Sequence, residues 1–240
     1  MRPIIKGDWP ISEDGKIKFT AHGQAKQFLE NNTGHYCYFC EMPVVNVPGV
    51  EHIKHQQHHP NLVCHWDNLM LSCQYCNSRK TKSKIKTYNY YWPHKNNTFL
   101  IFNYEVDNVF DSKGLPAVND AQLNDAQKDK AQKTLELYGL NKKENSTGGI
   151  DRRFNFRLDA ISKALGCKQE YDSIPPAITV DGILRTAQST GFWSIWATVF
   201  KHDIPVLEAL MTFKGTDINS SFDADFNPVP RNHSNTIDPL

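Results

Sequence analysis

Two identical Cys-x2-Cys pairs constrain this chain more than any other feature of its sequence. The pairs are Cys37 with Cys40 and Cys73 with Cys76. Together they offer four thiolates, which is the ligand set of a tetrahedral structural zinc ion. One such pair alone is also typical of a redox-active dithiol, but two in one short region favour zinc. The other cysteines, Cys64 and Cys167, are predicted to be packed thiols.

Length and composition limit the class of protein. The chain has 240 residues, of which 39% are hydrophobic and 22% are charged, as expected for one large or two small globular domains. Its longest apolar run, residues 191–200, is too short to cross a bilayer, and residues 1–10 lack the apolar segment of a secretory signal. We therefore expect a cytoplasmic protein with reduced thiols and no membrane partner.

Positive charge is concentrated in one segment of a nearly neutral chain. Residues 51–95 contain seven Lys and Arg residues against two acidic residues, whereas the whole chain carries a net charge of +1. Six of the ten histidines lie in the same segment. A local positive field suggests a partner that carries phosphate groups, and a solvated basic loop is the alternative.

The chain divides into three predicted stretches. Residues 1–34 form a lead-in with a helix near residues 22–30, and residues 35–111 hold every motif that carries chemistry. Residues 98–110 are rich in Phe, Tyr, Ile and Val and predict a strand. Residues 112–240 begin with a Ser-Lys-Gly-Leu-Pro break and then predict a mainly helical region.

Apolar side chains recur at helical spacing in this C-terminal region. One helix is predicted to end at Gly139, one to begin after the cap Asp151 and one to begin after the cap Asp203. Two apolar stripes are Phe154, Leu158, Ile161 and Leu165, and Phe192, Ile195, Trp196 and Val199. We interpret these stripes as core or as a partner interface.

The two cysteine pairs are interrupted by an insert, residues 41–72, that is longer than the spacing of ordinary four-cysteine zinc modules. In order, the motifs are Cys37-x2-Cys40, Glu51-His52, Asn68-Leu69 and Cys73-x2-Cys76-Asn77-x2-Lys80. This order resembles the HNH endonuclease family over about 50 residues. The resemblance implies an α+β fold with a ββα-metal finger: a hairpin carries the histidine, a helix carries the last ligand, and a structural zinc knuckle holds the two ends.

The resemblance also implies roles for individual residues. His52 is the implied general base, because a neutral imidazole can take a proton from an attacking water near physiological pH. Glu51 and Asn77 are the implied ligands of a catalytic Mg²⁺ or Mn²⁺, which stabilises the leaving oxygen. Asn68 is implied to fix the hairpin loop and so to orient His52. The residues implied to meet the phosphate backbone are Arg79, Lys80, Lys82 and Lys84.

Several of these residues have an alternative interpretation. The alternative for His52 is a buried, hydrogen-bonded histidine, for Glu51 a surface acid, and for Asn77 a cap of the zinc knuckle. Four further histidines are interpreted as loop or phosphate contacts, with His55 or His65 as an open alternative metal ligand; they are His55, His58, His59 and His65. We expect His94 to lie at the surface.

A narrower resemblance links the chain to the HNH subgroup that includes PtuB, the nuclease of Septu antiphage systems and of certain retrons. It rests on Val50-Glu51-His52, on residues 66–73, on Cys76-Asn77-Ser78 and on looser matches outside the finger. The implied function is DNA cleavage in antiviral defence, with a PtuA-like ABC-type ATPase as partner. The helical C-terminal region is the implied docking surface, with Phe192, Trp193 and Trp196 as exposed anchors or, alternatively, as core.

Two other functions stay open at this stage. The same finger suits a ribonuclease that acts on tRNA or other RNA, because such a finger contacts the nucleic-acid backbone rather than the bases. A noncatalytic zinc module that binds nucleic acid or protein is the alternative from a different class. The adjacent Glu51 and His52 favour catalysis, because a simple zinc knuckle has no use for an acid and an imidazole on an insert.

Overall fold

The computed structural model describes residues 1–46, 48–80, 84–107, 114–144, 148–149 and 151–231. In these residues, helices and three two-stranded antiparallel sheets alternate along the chain. The fold is therefore α+β, as the sequence predicts. None of the helices in the described residues combines the length and hydropathy needed to cross a membrane.

The N-terminal stretch begins with a short hairpin of β1 (Ile11–Ser12) and β2 (Gly15–Lys16). A 3-10 turn (His22–Ala25) then continues into α1 (Lys26–Thr33), which confirms the helix predicted near residues 22–30. The helix ends at Gly34, whose φ of 77° is accessible to glycine at little cost.

The central finger has the predicted hairpin-then-helix order. Strands β3 (Gly49–His52) and β4 (Leu69–Ser72) pair in antiparallel register, with Glu51 opposite Met70 and His52 opposite Leu69. Helix α2 (Gln74–Arg79) follows β4 directly, and the Cys73 thiol accepts a hydrogen bond from the backbone N–H of Cys76 to cap it.

The strand predicted at residues 98–110 is wrong in its first part. Residues Thr98–Ile101 form the short helix α3, because the Asn97 side chain accepts hydrogen bonds from the backbone N–H groups of Phe99 and Leu100. Strand β5 (Phe102–Tyr104) follows and pairs with β6 (Pro116–Val118). Residues 108–113 lie outside the described residues, and they include the end of the predicted strand and the predicted boundary at residue 112. Strand β5 precedes this gap and β6 follows it.

The C-terminal region is mainly helical, as predicted. Its helices are α4 (Asp125–Leu137), α5 (Arg152–Tyr171), α6 (Val180–Thr190), α7 (Trp193–Val199) and α8 (Ile204–Met211). The predicted cap Asp151 accepts a hydrogen bond from the Arg153 backbone, and Gly139 adopts a φ of 57° just after α4.

Two apolar cores organise the chain. The first joins the N-terminal stretch, the finger and α4, and the second gathers α5 to α8 with Tyr104 and Val106. Helix α4 therefore packs with the finger, although the sequence places it in the C-terminal region. The buried face of α5 also differs from the predicted apolar stripe, since it carries Arg153 and Arg157 beside Ile161.

Phe192, Trp193 and Trp196 are not the exposed anchors for a partner that the sequence analysis suggests. Phe192, Trp193 and Trp196 are at most 2% exposed and belong to the second core. The Trp193 indole N–H donates to the carbonyl of Leu210 at 2.8 Å, which ties α7 to α8. These rings supply core packing and are not available to a partner.

The turn before α7 is expected to depend on Gly191. Its φ is 75°, and a Cβ atom there would lie 2.7 Å from the carbonyl oxygen of Glu41 and 2.6 Å from Pro43 Cδ. We expect Gly191→Ala to lower the free energy of unfolding by about 2 kcal/mol or more, from left-handed backbone strain and the clash.

The matched control is Gly166→Ala, because Gly166 lies within α5 and a Cβ atom there has nothing within 4 Å. This change should raise the free energy of unfolding by about 0.5–1 kcal/mol. Both variants are measured by chemical denaturation. A Gly191→Ala protein as stable as the wild type would contradict the contact between residue 191 and the Glu41 segment.

Candidate active site

The four predicted cysteine ligands come together in the structure. The sulfur atoms of Cys37, Cys40, Cys73 and Cys76 lie within 4.8 Å of one another and are all buried. Tetrahedral zinc with Zn–S bonds of about 2.3 Å requires sulfurs about 3.8 Å apart. The Cys40 and Cys73 sulfurs are 3.6 Å apart, so the cluster fits a zinc ion. In the described residues no other histidine, cysteine or acidic cluster has this form.

A buried arginine from α5 contacts this cluster, and the sequence analysis missed it. Arg153 is 0% exposed, and its guanidinium donates to the Cys76 sulfur at 3.1 Å and to the Tyr138 carbonyl at 2.9 Å. Asp151 accepts from the same guanidinium at 2.6 Å. Four thiolates around a divalent ion carry a net charge of about −2, which this cation partly offsets. The only sequence signal is its position two residues after the helix cap.

Glu51 lies on the inner face of the hairpin. It is 5% exposed, and its Oε1 atom is 2.6 Å from the ammonium group of Lys80. Burial raises the pKa of the Glu51 carboxyl, and the neighbouring Lys80 opposes that rise. The carboxylate already holds a cation, so its position suits a positively charged ligand.

His52 follows Glu51 and points to the opposite face of β3. Its Nε2 atom lies 2.9 Å from the carbonyl oxygen of Val63. Because a carbonyl only accepts, Nε2 carries the ring proton and Nδ1 keeps a lone pair. Burial lowers the pKa of His52; the hydrogen bond to Val63 opposes this effect, and His22, Lys80 and His55 add to it. The ring is therefore neutral at physiological pH, as a general base must be.

Asn68 makes three hydrogen bonds to the backbone of the hairpin loop. Its Oδ1 atom accepts from the Lys54 backbone N–H at 2.7 Å, and its Nδ2 atom donates to the Lys54 carbonyl at 3.0 Å. The same Nδ2 atom also donates to the Leu62 carbonyl at 3.0 Å. Asn68 thus joins the end of β3 to the residue before Val63, whose carbonyl holds the His52 ring.

Asn77 is exposed on α2 and lies over the hairpin beside Gly49. A Cβ atom on Gly49 would be 3.4 Å from Asn77 Nδ2, so the absence of a side chain leaves room for the amide. Gly49 and Glu51 share one face of β3, because side chains two apart in a strand point the same way. Asn77 therefore lies on the side of β3 to which Glu51 also points.

His22 is a second residue that the sequence analysis missed. It lies on the 3-10 turn before α1, and the centroid of its ring is 4.9 Å from that of His52 in an edge-to-face arrangement. No local motif marks it, because the contact forms only when the N-terminal stretch packs against the hairpin.

The four predicted backbone contacts have different surroundings. Lys80 is 6% exposed and donates to Glu51 and to the His52 carbonyl, so its burial does not fit a contact with phosphate. Arg79 is half-buried and donates to the Glu144 carbonyl at 2.5 Å. Lys84 is exposed, and Lys82 lies outside the described residues.

The remaining histidines are spread around the hairpin loop. His58 is exposed, whereas His55, His59 and His65 are half-buried, and neither His55 nor His65 joins a metal cluster in the described residues. The expectation that His94 is a surface residue is wrong. Its Nδ1 atom is buried without a hydrogen-bond partner, and burial lowers its pKa well below the usual value.

Comparison with known proteins agrees with this geometry. The family model of the HNH endonuclease matches residues 37–83, from the first cysteine pair to just beyond α2. No curated protein matched the chain in a search. The matched segment contains the hairpin, the helix and the thiol cluster, so the chain carries an HNH domain with a candidate zinc site.

Arg153 should stabilise zinc in the thiol cluster. We expect Arg153→Met to weaken zinc binding about 10- to 100-fold, because the cation that donates to Cys76 is lost. Zinc affinity is measured by competition with a chromogenic chelator.

Arg152→Met is the matched control, since Arg152 is the exposed neighbour on the same helix and should bind zinc like the wild type. Cys73→Ser should lose the zinc outright. Equal zinc affinity in the Arg153 and Arg152 variants would show that the guanidinium does not act on the metal site.

Proposed function

We propose that this protein is a metal-dependent endonuclease that hydrolyses phosphodiester bonds in DNA. The observation that carries the proposal is the His52 ring, which is neutral and fixed through Nε2, on the residue that directly follows buried Glu51 in an HNH domain. A noncatalytic zinc module does not require this arrangement.

His52 takes the proton from the attacking water in the proposed reaction. The Val63 carbonyl holds Nε2–H, so Nδ1 is the atom that receives this proton. The imidazolium that forms is stabilised by the same carbonyl, and Asn68 keeps the loop that carries Val63 in place. Preorganisation of the base in this way avoids reorientation during the reaction.

Glu51 and Asn77 are the residues that would hold a catalytic Mg²⁺ or Mn²⁺. Such an ion supplies Lewis-acid stabilisation of the oxygen that leaves phosphorus. Both side chains offer oxygen donors, which hard divalent cations prefer, and Mg²⁺ commonly takes only one or two protein ligands. The Lys80 ammonium must move away from Glu51 or share the carboxylate with the ion.

Exposed Lys84 is the described residue that we propose for contact with the phosphate backbone. Arg79 and Lys80 already donate hydrogen bonds to groups of the protein itself. For Lys82, a phosphate contact is proposed from the sequence alone. A ribonuclease that acts on tRNA or other RNA uses the same residues in the same roles, so the substrate must be tested directly.

We also propose a role in antiphage defence, as a PtuB-like effector that works in the cytoplasm with a PtuA-like ABC-type ATPase. Its support is the resemblance of the sequence around residues 50–52 and 66–78. Because the aromatic residues of α7 are buried, a partner at the helical region must contact other side chains. Exposed apolar candidates there are Phe156, Ile174 and Ile204.

Replacement of the general base should stop cleavage without loss of zinc. We expect His52→Ala to reduce DNA cleavage about 100- to 10,000-fold in the presence of Mg²⁺ or Mn²⁺. The zinc content should stay at the wild-type level, because the cysteine cluster is unchanged. Plasmid and tRNA substrates are assayed side by side, with the ATPase partner and without it.

His202→Ala is the control, since His202 is exposed in the C-terminal region. Wild-type cleavage by the His52 variant would overturn the general-base role. If the wild type cleaves tRNA and leaves plasmid DNA intact, the substrate is RNA and not DNA.

Lys84 and Lys80 should differ in their effect on nucleic-acid binding. We expect Lys84→Ala to lower the slope of log affinity against log salt by about 1, as loss of one phosphate contact does. Lys80→Met should leave this slope unchanged but lower the free energy of unfolding by about 3 kcal/mol, because Glu51 loses its buried partner. Fluorescence anisotropy at several salt concentrations and chemical denaturation measure the two effects; the reverse pattern would place Lys80 on the nucleic acid.

A further inference from the structure

A large groove begins where the hairpin loop leaves the candidate active site. Its volume is about 940 Å³, and it lies between residues 53–68 of the hairpin loop, residues 87–96 and the first half of α4. Sites for small ligands have volumes of about 300–1,000 Å³, so the groove accommodates a group of nucleotide size. Much of it lies outside the HNH match at residues 37–83.

The groove carries an excess of positive charge. Four lysines and two aspartates line it: Lys54, Lys95, Lys130, Lys133, Asp67 and Asp129. One lysine is already compensated, because Lys133 forms an ion pair with Asp129. Another, Lys130, places its ammonium 4.2 Å from the centroid of the Tyr91 ring. The resulting field favours an anionic occupant.

Aromatic rings line the same groove. Tyr88 lies on a 3-10 turn (Thr87–Asn89) and is 67% exposed, which is unusual for so large a ring. Tyr90 is half-buried, and its ring centroid is 6.3 Å from that of Trp92, which is buried. Exposed aromatic faces beside lysines are the combination on which unpaired bases stack.

The groove is connected to the proposed general base through Asn68. This side chain lines the groove and also holds Lys54 and Leu62, so it belongs to both sites. Ile53, the residue after His52, is part of the groove wall. The groove therefore shares Asn68 with the loop whose Val63 carbonyl accepts the hydrogen bond from His52.

We propose that this groove binds a single-stranded segment of nucleic acid next to the scissile phosphate, with an unstacked base on Tyr88. The inference rests on the proposed nuclease function and names its substrate class. A duplex does not use the groove in this way, because its bases are stacked on each other and present only their edges. Single-stranded DNA and RNA share this chemistry, so the experiment includes both.

The experiment measures binding without any added Mg²⁺ or Mn²⁺, so that it does not depend on cleavage. The zinc-loaded full chain is titrated against fluorescent 12-nucleotide DNA, 12-nucleotide RNA and a blunt 12-base-pair duplex. We expect at least one single strand to bind more tightly than the duplex. Tyr88→Ala should weaken that binding about 5- to 150-fold, whereas Tyr88→Phe should bind like the wild type.

A second pair of variants tests the groove without removal of a ring. Ala126 is exposed on the groove wall near the start of α4, where an acidic side chain is compatible with the helix. Ala126→Glu should weaken single-strand binding, and its uncharged match Ala126→Gln should weaken it much less. Ile11→Ala, which removes an exposed apolar side chain on β1 outside the groove, should leave binding unchanged.

Tighter binding of the duplex would overturn the inference, as would wild-type affinity in both Tyr88→Ala and Ala126→Glu. Failure of the proposed function has a different signature, since the wild type then cleaves no substrate with Mg²⁺ or Mn²⁺. If Tyr88→Ala and Ala126→Glu weaken binding but the wild type cleaves nothing, the groove is a nucleic-acid site and the proposed nuclease function is wrong.

Discussion

The buried contact between the thiol cluster and Arg153 is the interaction on which the rest of the structure depends. The first cysteine pair precedes β3 and the second lies at the start of α2, so the cluster fixes the two ends of a hairpin that has few residues of its own. Arg153 reaches this cluster from α5 and also donates to the carbonyls that follow α4. The finger and the helical region therefore share a buried, charged contact here, where the net charge of four thiolates around a zinc ion would favour a cation.

A second buried ion pair shapes the inner face of the hairpin. Lys80 lies just after α2 and reaches back to Glu51 and the His52 carbonyl. Because both charges are out of water, each depends on the other, and a change at one has a large effect on the other. This pair explains why Lys80 is buried in the finger, although the sequence analysis assigns it to the phosphate backbone. A divalent ion at Glu51, as proposed, would compete with the ammonium for the same carboxylate.

The sequence predicts the local chemistry well and the long-range contacts poorly. The cysteine cluster and most C-terminal helices follow from motifs, caps and apolar periodicity that lie within a few residues of one another, whereas the hairpin-then-helix order follows from the resemblance to the HNH family. Arg153, His22 and the burial of Trp193 depend on which elements pack together, and no local pattern encodes that. The strand predicted at Thr98 fails for a local reason, since the cap at Asn97 outweighs the β-propensity of the residues after it.

The hairpin loop connects the groove to the His52 ring through the side-chain amide of Asn68. Asn68 holds the loop to Lys54 and Leu62, the Val63 carbonyl beside Leu62 fixes the tautomer of His52, and Lys54 lines the groove. A ligand in the proposed groove would therefore act on the same hydrogen bonds that position the His52 ring. Because a hydrogen-bonded loop of this kind adopts its arrangement as a unit, occupancy of the groove and orientation of the imidazole are expected to change together rather than separately.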